Sequence, residues 1–121
     1  GSNVEKAENA TVNASKKTEA GAIEISNGNG IRGMAKQMGS YLKRRGYKIT
    51  RYTNAGSFNY SQARIYFVGP HEKLARQIAS EFPEIQKIKA IKHLDRKNLK
   101  VKVIIGKDLA QYRQKFREDS I

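Results

Sequence analysis

Residues 22–33 read AIEISNGNGIRG, and this stretch decides the architecture of the folded part of the chain. It opens with a short run that is typical of a β-strand, and residues 27–30 are a dense turn signal. Apolar residues then recur at helical spacing from Ile31 to Leu42, and Gly46 follows a basic last turn, as at many helix ends. The sequence therefore predicts a strand, a tight turn and an amphipathic helix of roughly fifteen residues.

Further strands and a second helix follow this opening unit. A helical pattern of apolar residues runs from Leu74 to Phe82 and is ended by Pro83. The segments that have strand-like patterns are residues 47–52, 63–68, 85–92 and 101–106. The third of these segments is interleaved with lysines and is the least regular.

The C-terminal residues predict one more short helix. Asp108 is placed to cap it, and Leu109, Tyr112 and Phe116 are its apolar residues. The element order is then β-α-β-β-α-β with an extra strand and a short C-terminal helix. That order predicts an α/β (α+β) domain with a ferredoxin-like split β-α-β-β-α-β sheet, in which two helices lie on one face.

The chain divides into a tether and one small domain. Residues 1–20 are predicted to be a disordered linker, because they contain too few apolar side chains to offset the entropy of ordering. Gly1 and Ser2 are typical of residues that cloning leaves behind. Residues 21–121 remain as a single domain of about 100 residues, which is enough for one modest core.

The folded part carries a large excess of positive charge. The chain has 24 Lys and Arg residues against 11 Asp and Glu residues, a formal charge of +13, and the first twenty residues contribute three of each sign. Such a field attracts polyanions, namely nucleic acid, anionic lipid headgroups or phosphate-bearing wall polymers, although basic charge also serves solubility. There is no cysteine, which excludes disulfides and thiol chemistry, and no apolar run is long enough to predict a transmembrane segment.

Residues 28–33 spell G-x-G-x-x-G between a predicted strand and a predicted helix, as in dinucleotide-binding proteins. About 100 residues are too few for two mononucleotide-binding halves, and no helix joins the second and third strands. The stretch is therefore interpreted as a tight turn with close helix–sheet packing at Gly33. A narrower prediction is an anion-binding turn built from backbone amides, the helix N-terminus and two basic side chains. Its residues are Asn27, Gly28, Asn29, Gly30, Arg32, Gly33 and Lys36.

A second candidate site is the densest basic stretch of the chain. Its residues are Lys87, Lys89, Lys92, Arg96, Lys97, Lys100 and Lys102. They could follow the phosphates of RNA, of a wall polymer or of lipid headgroups. The alternative is an edge strand that lysines protect from aggregation.

The remaining polar residues predict no catalytic residue, no metal site and no cofactor. His71 and His93 have no partner at metal-ligand spacing and are expected to be exposed. No nucleophile elbow occurs. Glu81 and Glu84 flank Pro83 at a helix end, where solvent-facing carboxylates are common.

The opening stretch resembles the start of the LytR C-terminal domain family, which has a strand, an Asn-Gly-x-Gly turn and then Gly-x-Ala on a helix. These features are residues 23–35 here, with Asn29 where Ser or Thr is usual. The similarity covers residues 22–109 and ends at Val103-Ile104-Ile105-Gly106-Lys107-Asp108.

The resemblance implies a bacterial protein of the cell envelope, periplasmic or extracytoplasmic, tethered to the membrane through residues that precede Gly1. Such domains follow a LytR-CpsA-Psr ligase domain or stand on membrane-anchored or tetratricopeptide-bearing chains. The ligase domain is far larger than this chain, so its phosphotransfer chemistry does not carry over.

The predicted function is a non-catalytic envelope binding or accessory module that contacts an anionic wall polymer or a protein partner. The alternative function is an RNA-binding module that uses a basic sheet surface, although the RNA-recognition signature is absent.

Overall fold

Residues 21–119, which the computed structural model describes, form one five-stranded mixed sheet with three α-helices. The strands are β1 (Ala22–Asn27), β2 (Ile49–Asn54), β3 (Arg64–Val68), β4 (Lys87–Ile91) and β5 (Leu99–Ile105). The helices are α1 (Met34–Arg44), α2 (Glu72–Ser80) and α3 (Arg113–Asp119), and a 3-10 helix (Lys107–Tyr112) leads into α3. The predicted linker, residues 1–20, lies outside the described residues.

The strand order is β2-β1-β5-β3-β4, which differs from the predicted split arrangement. β1 pairs directly with β2, and β3 pairs directly with β4, in both cases parallel. No strand is therefore inserted within either β-α-β unit. β5 lies between the two units, parallel to β1 and antiparallel to β3. The α/β class is confirmed but the ferredoxin-like split is not, because the order of elements along the chain leaves the strand pairing open.

Both crossover helices pack on the same face of the sheet. α1 and α2 meet near their C-terminal ends, where the Arg45 Nε lies 2.8 Å from a carboxylate oxygen of Glu81. The Tyr47 hydroxyl is within hydrogen-bond distance of the same carboxylate, at 3.1 Å, and of the Gln77 carbonyl oxygen, at 3.2 Å. Glu81 is therefore a link between elements, with a side chain only 8% exposed, and not the solvent-facing carboxylate that we expected.

The C-terminal segment closes the core on this helical side. The ring of Phe116 is fully buried, with its centroid 5.2 Å from that of Tyr41 and 5.7 Å from that of Phe82. The Tyr112 hydroxyl donates to the Glu84 carboxylate at 2.7 Å, and burial together with this bond raises the pKa of Tyr112 to about 12. The predicted apolar side of the terminal helical segment is thus confirmed.

The predicted cap of that segment is wrong. The residue that precedes the 3-10 helix is Gly106, with no side-chain cap bond. Asp108 lies inside the first turn, and both of its carboxylate oxygens are 3.0 Å from the backbone amide of Ala63, which donates to them. The carboxylate therefore joins the start of β3 to the end of β5.

The side chains of β1 alternate between two different faces of the sheet. Ile23 and Ile25 are buried in the core, whereas Glu24 points to the side that α1 and α2 do not cover. β2 follows this alternation through a register shift that pairs Ile23 with Ile49 and Glu24 with Arg51. We call the side without helices the helix-free face.

His71, which immediately precedes α2, is expected to add a pH-dependent contribution to the stability of the fold. Its Nδ1 is buried without a hydrogen-bond partner in the described part of the chain. Burial and then the nearby charge of Lys100 lower the pKa of His71. The unfolded chain, with a histidine pKa of about 6.5, therefore binds more protons than the folded chain below that pH. The contribution of His71 to stability is therefore complete above about pH 6.5 and is lost as the pH drops through the lower folded pKa.

We expect His71→Gln to remove this pH dependence. Urea unfolding at pH 7.5 and pH 5.0 should show a larger loss of stability on acidification for the wild-type chain than for His71→Gln. His93→Gln is the control, because His93 is exposed. An equal loss in all three proteins would contradict the assignment.

Candidate functional site

The helix-free face carries two rows of mostly polar side chains across all five strands. Strand register places Arg51, Glu24, Lys102, Tyr66 and Lys89 in one row. The neighbouring row is Thr53, Ser26, Ile104, Arg64 and Lys87. The two rows contain five basic side chains and one carboxylate, so this face carries a positive potential.

Glu24 is a buried charge at the centre of this face that was not predicted from the sequence. Its side chain is 1% exposed, and its Oε2 accepts a hydrogen bond from the Thr53 hydroxyl. The same oxygen lies 3.8 Å from Arg51 Nε and 3.8 Å from Lys102 Nζ. A carboxylate that is removed from water requires such partners. Strand alternation could have placed Glu24 outside the core, but only the strand pairing shows which cations surround it.

The predicted basic surface is distributed over the sheet and one loop. Lys87, Lys89 and Lys102 lie on the helix-free face. Lys92, Arg96 and Lys97 are exposed in the loop between β4 and β5, residues 92–98, and Lys100 is half-buried in β5. We call residues 92–98 the β4–β5 loop.

The β4–β5 loop lies next to the helix-free face. Asp95 Oδ2 of the loop is 4.0 Å from Lys102 Nζ, and the Lys100 ammonium donates to the Lys97 carbonyl at 3.2 Å. Leu94 and Leu99 line an open groove of about 400 Å³ at this end of the sheet. The Asp95–Lys102 contact therefore places the loop beside the cations of the sheet. β4 is also an edge strand. The alternative explanation of its lysines, that they protect an edge strand from aggregation, therefore remains open.

The Asn27 side chain organises the predicted anion-binding turn. Its Oδ1 accepts hydrogen bonds from the amides of Asn29 and Gly30, at 3.0 Å each. Its Nδ2 donates to the Ile31 carbonyl at 2.8 Å. Asn27 thus satisfies three backbone groups of the turn that follows β1.

Asn29 ties this turn to the end of β5. Its Oδ1 accepts from the Ile31 amide at 2.9 Å, and its Nδ2 donates to the Gly106 carbonyl at 2.9 Å. The Gly28 amide donates to the Ile105 carbonyl at 3.0 Å. The four amides from Gly28 to Ile31 therefore all donate to acceptors within the protein. Anion binding at this turn stays a prediction, and it would have to use other groups.

The remaining residues of the predicted site lie at the start of α1. Arg32 and Lys36 are exposed, and Lys36 borders a shallow groove together with Asn27 and Asn54. Gly33 has a φ of 78°, and a β-carbon there would meet only Gln37 Nε2, at 3.6 Å. The glycine is therefore required by its left-handed backbone and not by the close packing that we predicted.

The G-x-G-x-x-G stretch does lie on a parallel β-α-β unit, formed by β1, α1 and β2. The second parallel unit, formed by β3, α2 and β4, runs in the opposite direction, because β5 is parallel to β1 and antiparallel to β3. The carboxyl ends of the strands in the two units thus point in opposite directions, toward opposite ends of the sheet. This arrangement differs from the doubly wound sheet that binds dinucleotides.

These features define a small α/β domain with one helix-covered face and one basic helix-free face. The chain belongs to the LytR C-terminal domain family: the family model described as LytR cell envelope-related transcriptional attenuator matches residues 21–109. The resemblance noted in the sequence is thereby confirmed, and with it a cell-envelope association and an accessory-domain family that is not a known catalytic family. No curated protein and no solved structure matches the chain.

Residues 21–119 contain neither a metal-binding cluster nor a membrane-spanning helix. No group of three or more His, Asp or Glu side chains is placed to hold a metal ion. Within the same range no helix is long and apolar enough to cross a membrane.

Proposed function

We propose that this chain is a non-catalytic accessory domain of the cell envelope that binds an anionic envelope polymer. The contact surface is the helix-free face together with the β4–β5 loop. The observation that carries the proposal is the position of the cation-rich β4–β5 loop beside the helix-free face, since Asp95 of the loop lies 4.0 Å from Lys102 of the sheet. In this proposal the domain is held at the membrane by residues that precede Gly1.

The dimensions of the surface suit a long ligand. Arg51 and Lys89 stand at the two edges of the sheet, in the same cross-strand row. Four strand spacings separate them, which is about 19 Å. A polymer with repeated negative charges can contact several of these cations at once, and each contact releases a counterion. Affinity for such a ligand should fall steeply as salt rises.

A polymer without bases fits this face better than RNA does. Proteins that bind single-stranded RNA on a sheet stack bases on several aromatic side chains. The two rows of the helix-free face contain one aromatic residue, Tyr66. The neighbouring Tyr60 is already covered by the guanidinium of Arg64, 4.8 Å from its ring centroid.

A charge-removal variant of β4 and the β4–β5 loop tests the proposal. Replacing Lys89, Lys92, Arg96 and Lys97 together with Gln should lower affinity for solubilised anionic wall fragments by roughly tenfold or more at near-physiological salt. The thermal midpoint should hardly change, because all four side chains are exposed. NMR titration of labelled protein measures the first quantity, and calorimetry measures the second.

The matched control removes four exposed cations from the rest of the surface: Lys43, Lys48, Lys73 and Arg113. This control should keep wild-type affinity for wall fragments. Equal losses in both variants would mean that only net charge matters, which contradicts a defined surface. A parallel titration with short single-stranded RNA completes the design, and selective binding of RNA would replace the envelope polymer as the ligand.

A further inference from the structure

The positive charge of the helix-free face is compensated on one half only. On β1, β2 and β5, the Glu24 carboxylate lies between Arg51 and Lys102. On β3 and β4, Arg64 and Lys87 have no carboxylate within 4.0 Å in the described part of the chain. We call these two strands the uncompensated half.

The like charges of the uncompensated half oppose one another directly. Arg64 on β3 and Lys87 on β4 are cross-strand partners, and Lys89 lies two residues further along β4. Directly opposed like charges destabilise a sheet. A bound anion would relieve this repulsion, so the arrangement favours an anionic ligand at this position.

The guanidinium of Arg64 is held in place but is not fully hydrogen-bonded. It lies over the Tyr60 ring, 4.8 Å from the centroid, and its Nη2 donates to the Gln62 carbonyl at 3.2 Å. Its Nε is buried without a partner among residues 21–119. A side chain that is already oriented loses little conformational freedom on binding, and the planar guanidinium matches two oxygens of a phosphate.

A groove of about 440 Å³ between β3 and β4 is lined by these cations. Arg64, Lys87 and Lys89 contribute only donors, and Gln86 and Tyr66 add an amide and a hydroxyl. None of these five side chains carries a negative charge. The lining therefore complements the oxygens of a phosphate group.

We infer that this groove on the uncompensated half is a phosphodiester-binding site. Arg64 binds the two non-bridging oxygens, and Lys87 and Lys89 neutralise the phosphate from β4. This inference rests on the proposed function, because it names the group of the envelope polymer that the helix-free face recognises. Free phosphate presents the same oxygens, and the experiment below separates the two sources.

The test is an NMR titration of the full chain with inorganic phosphate, with dimethyl phosphate and with a glycerol phosphate hexamer. Amide shifts should centre on Arg64–Tyr66 and on residues 86–89 with each diester probe. The double variant Arg64→Gln, Lys87→Gln should weaken hexamer binding roughly tenfold. Arg64→Lys keeps the positive charge but loses the planar guanidinium, so its affinity for the hexamer should lie between those of the wild type and the double variant. The control Lys48→Gln, Lys73→Gln should bind as wild type.

The outcomes separate this site from the proposed function. Hexamer binding that is unaffected by the double variant would overturn the groove, but it would remain consistent with binding through the β4–β5 loop. Shifts in the groove with dimethyl phosphate, without binding of the hexamer or of wall fragments, would support the groove and remove the proposed function. Binding of inorganic phosphate with no response to either diester would overturn the inference, as would tighter binding of a short RNA than of the hexamer.

Discussion

Replacing Phe116 with alanine is expected to lower the free energy of unfolding by about 3–5 kcal/mol, the usual cost of deleting a buried aromatic ring. Phe116 is 0% exposed and contacts the rings of Tyr41, Phe82 and Tyr112, with centroids 5.2, 5.7 and 5.8 Å away. A single domain of this size has only about 5–15 kcal/mol of stability in all. The loss would therefore be a large share of the total.

Urea unfolding followed by circular dichroism measures this effect. Phe58→Ala is the matched control, because Phe58 is 47% exposed and its removal should change stability by less than about 0.5 kcal/mol. A chain shortened to Leu109, where the family match ends, also lacks Phe116 and should be strongly destabilised for the same reason. Wild-type stability for Phe116→Ala would mean that α3 does not pack against α1 in solution.

The local elements of this fold could be predicted because their signals are local. The strand, turn and helix of residues 22–44 follow from alternation, from glycines and from helical periodicity. The predicted helix started at Ile31, whereas α1 starts at Met34. The difference arises because Gly33 has a φ of 78°, which no helical residue adopts.

Strand pairing could not be predicted in the same way. β5 is the last strand in the sequence, yet it lies between the two β-α-β units. The same element order allows a split sheet or this mixed sheet, and the choice depends on packing between distant segments. The side chains of the helix-free face share this difficulty: Glu24, Arg64 and Lys102 come from three separate strands, so their proximity follows only from the register.

The basic stretch after residue 84 was visible in the sequence because its residues are neighbours along the chain. Arg64 and Tyr66 were not recognised as partners of these lysines, since they lie on β3, more than twenty positions earlier. Conversely, the turn after β1 was correctly predicted as a turn. Its internal hydrogen bonding was not predicted, because the sequence does not reveal that Asn27 and Asn29 already occupy the amides.

Asn27→Ala is expected to destabilise the fold by about 2–4 kcal/mol, since three hydrogen bonds of about 0.5–1.5 kcal/mol each are lost. Asn27 is 6% exposed, so the amides of Asn29 and Gly30 would lose their acceptor where water reaches poorly. Asn27→Asp keeps that acceptor but places a carboxylate beside the Ile31 carbonyl, to which the amide nitrogen now donates. Its stability should lie between those of the wild type and Asn27→Ala.

Chemical denaturation of both variants, with exposed Asn98→Ala as the control, separates a structural role of the turn from a binding role. If the turn mainly supports the fold, Asn27→Ala loses stability, and whatever protein remains folded binds anionic polymer as the wild type does. If the turn binds an anion through its amides, the variant keeps its stability and loses affinity. The hydrogen bonds of Asn27 favour the first result, because every amide from Gly28 to Ile31 already donates to an acceptor within the protein.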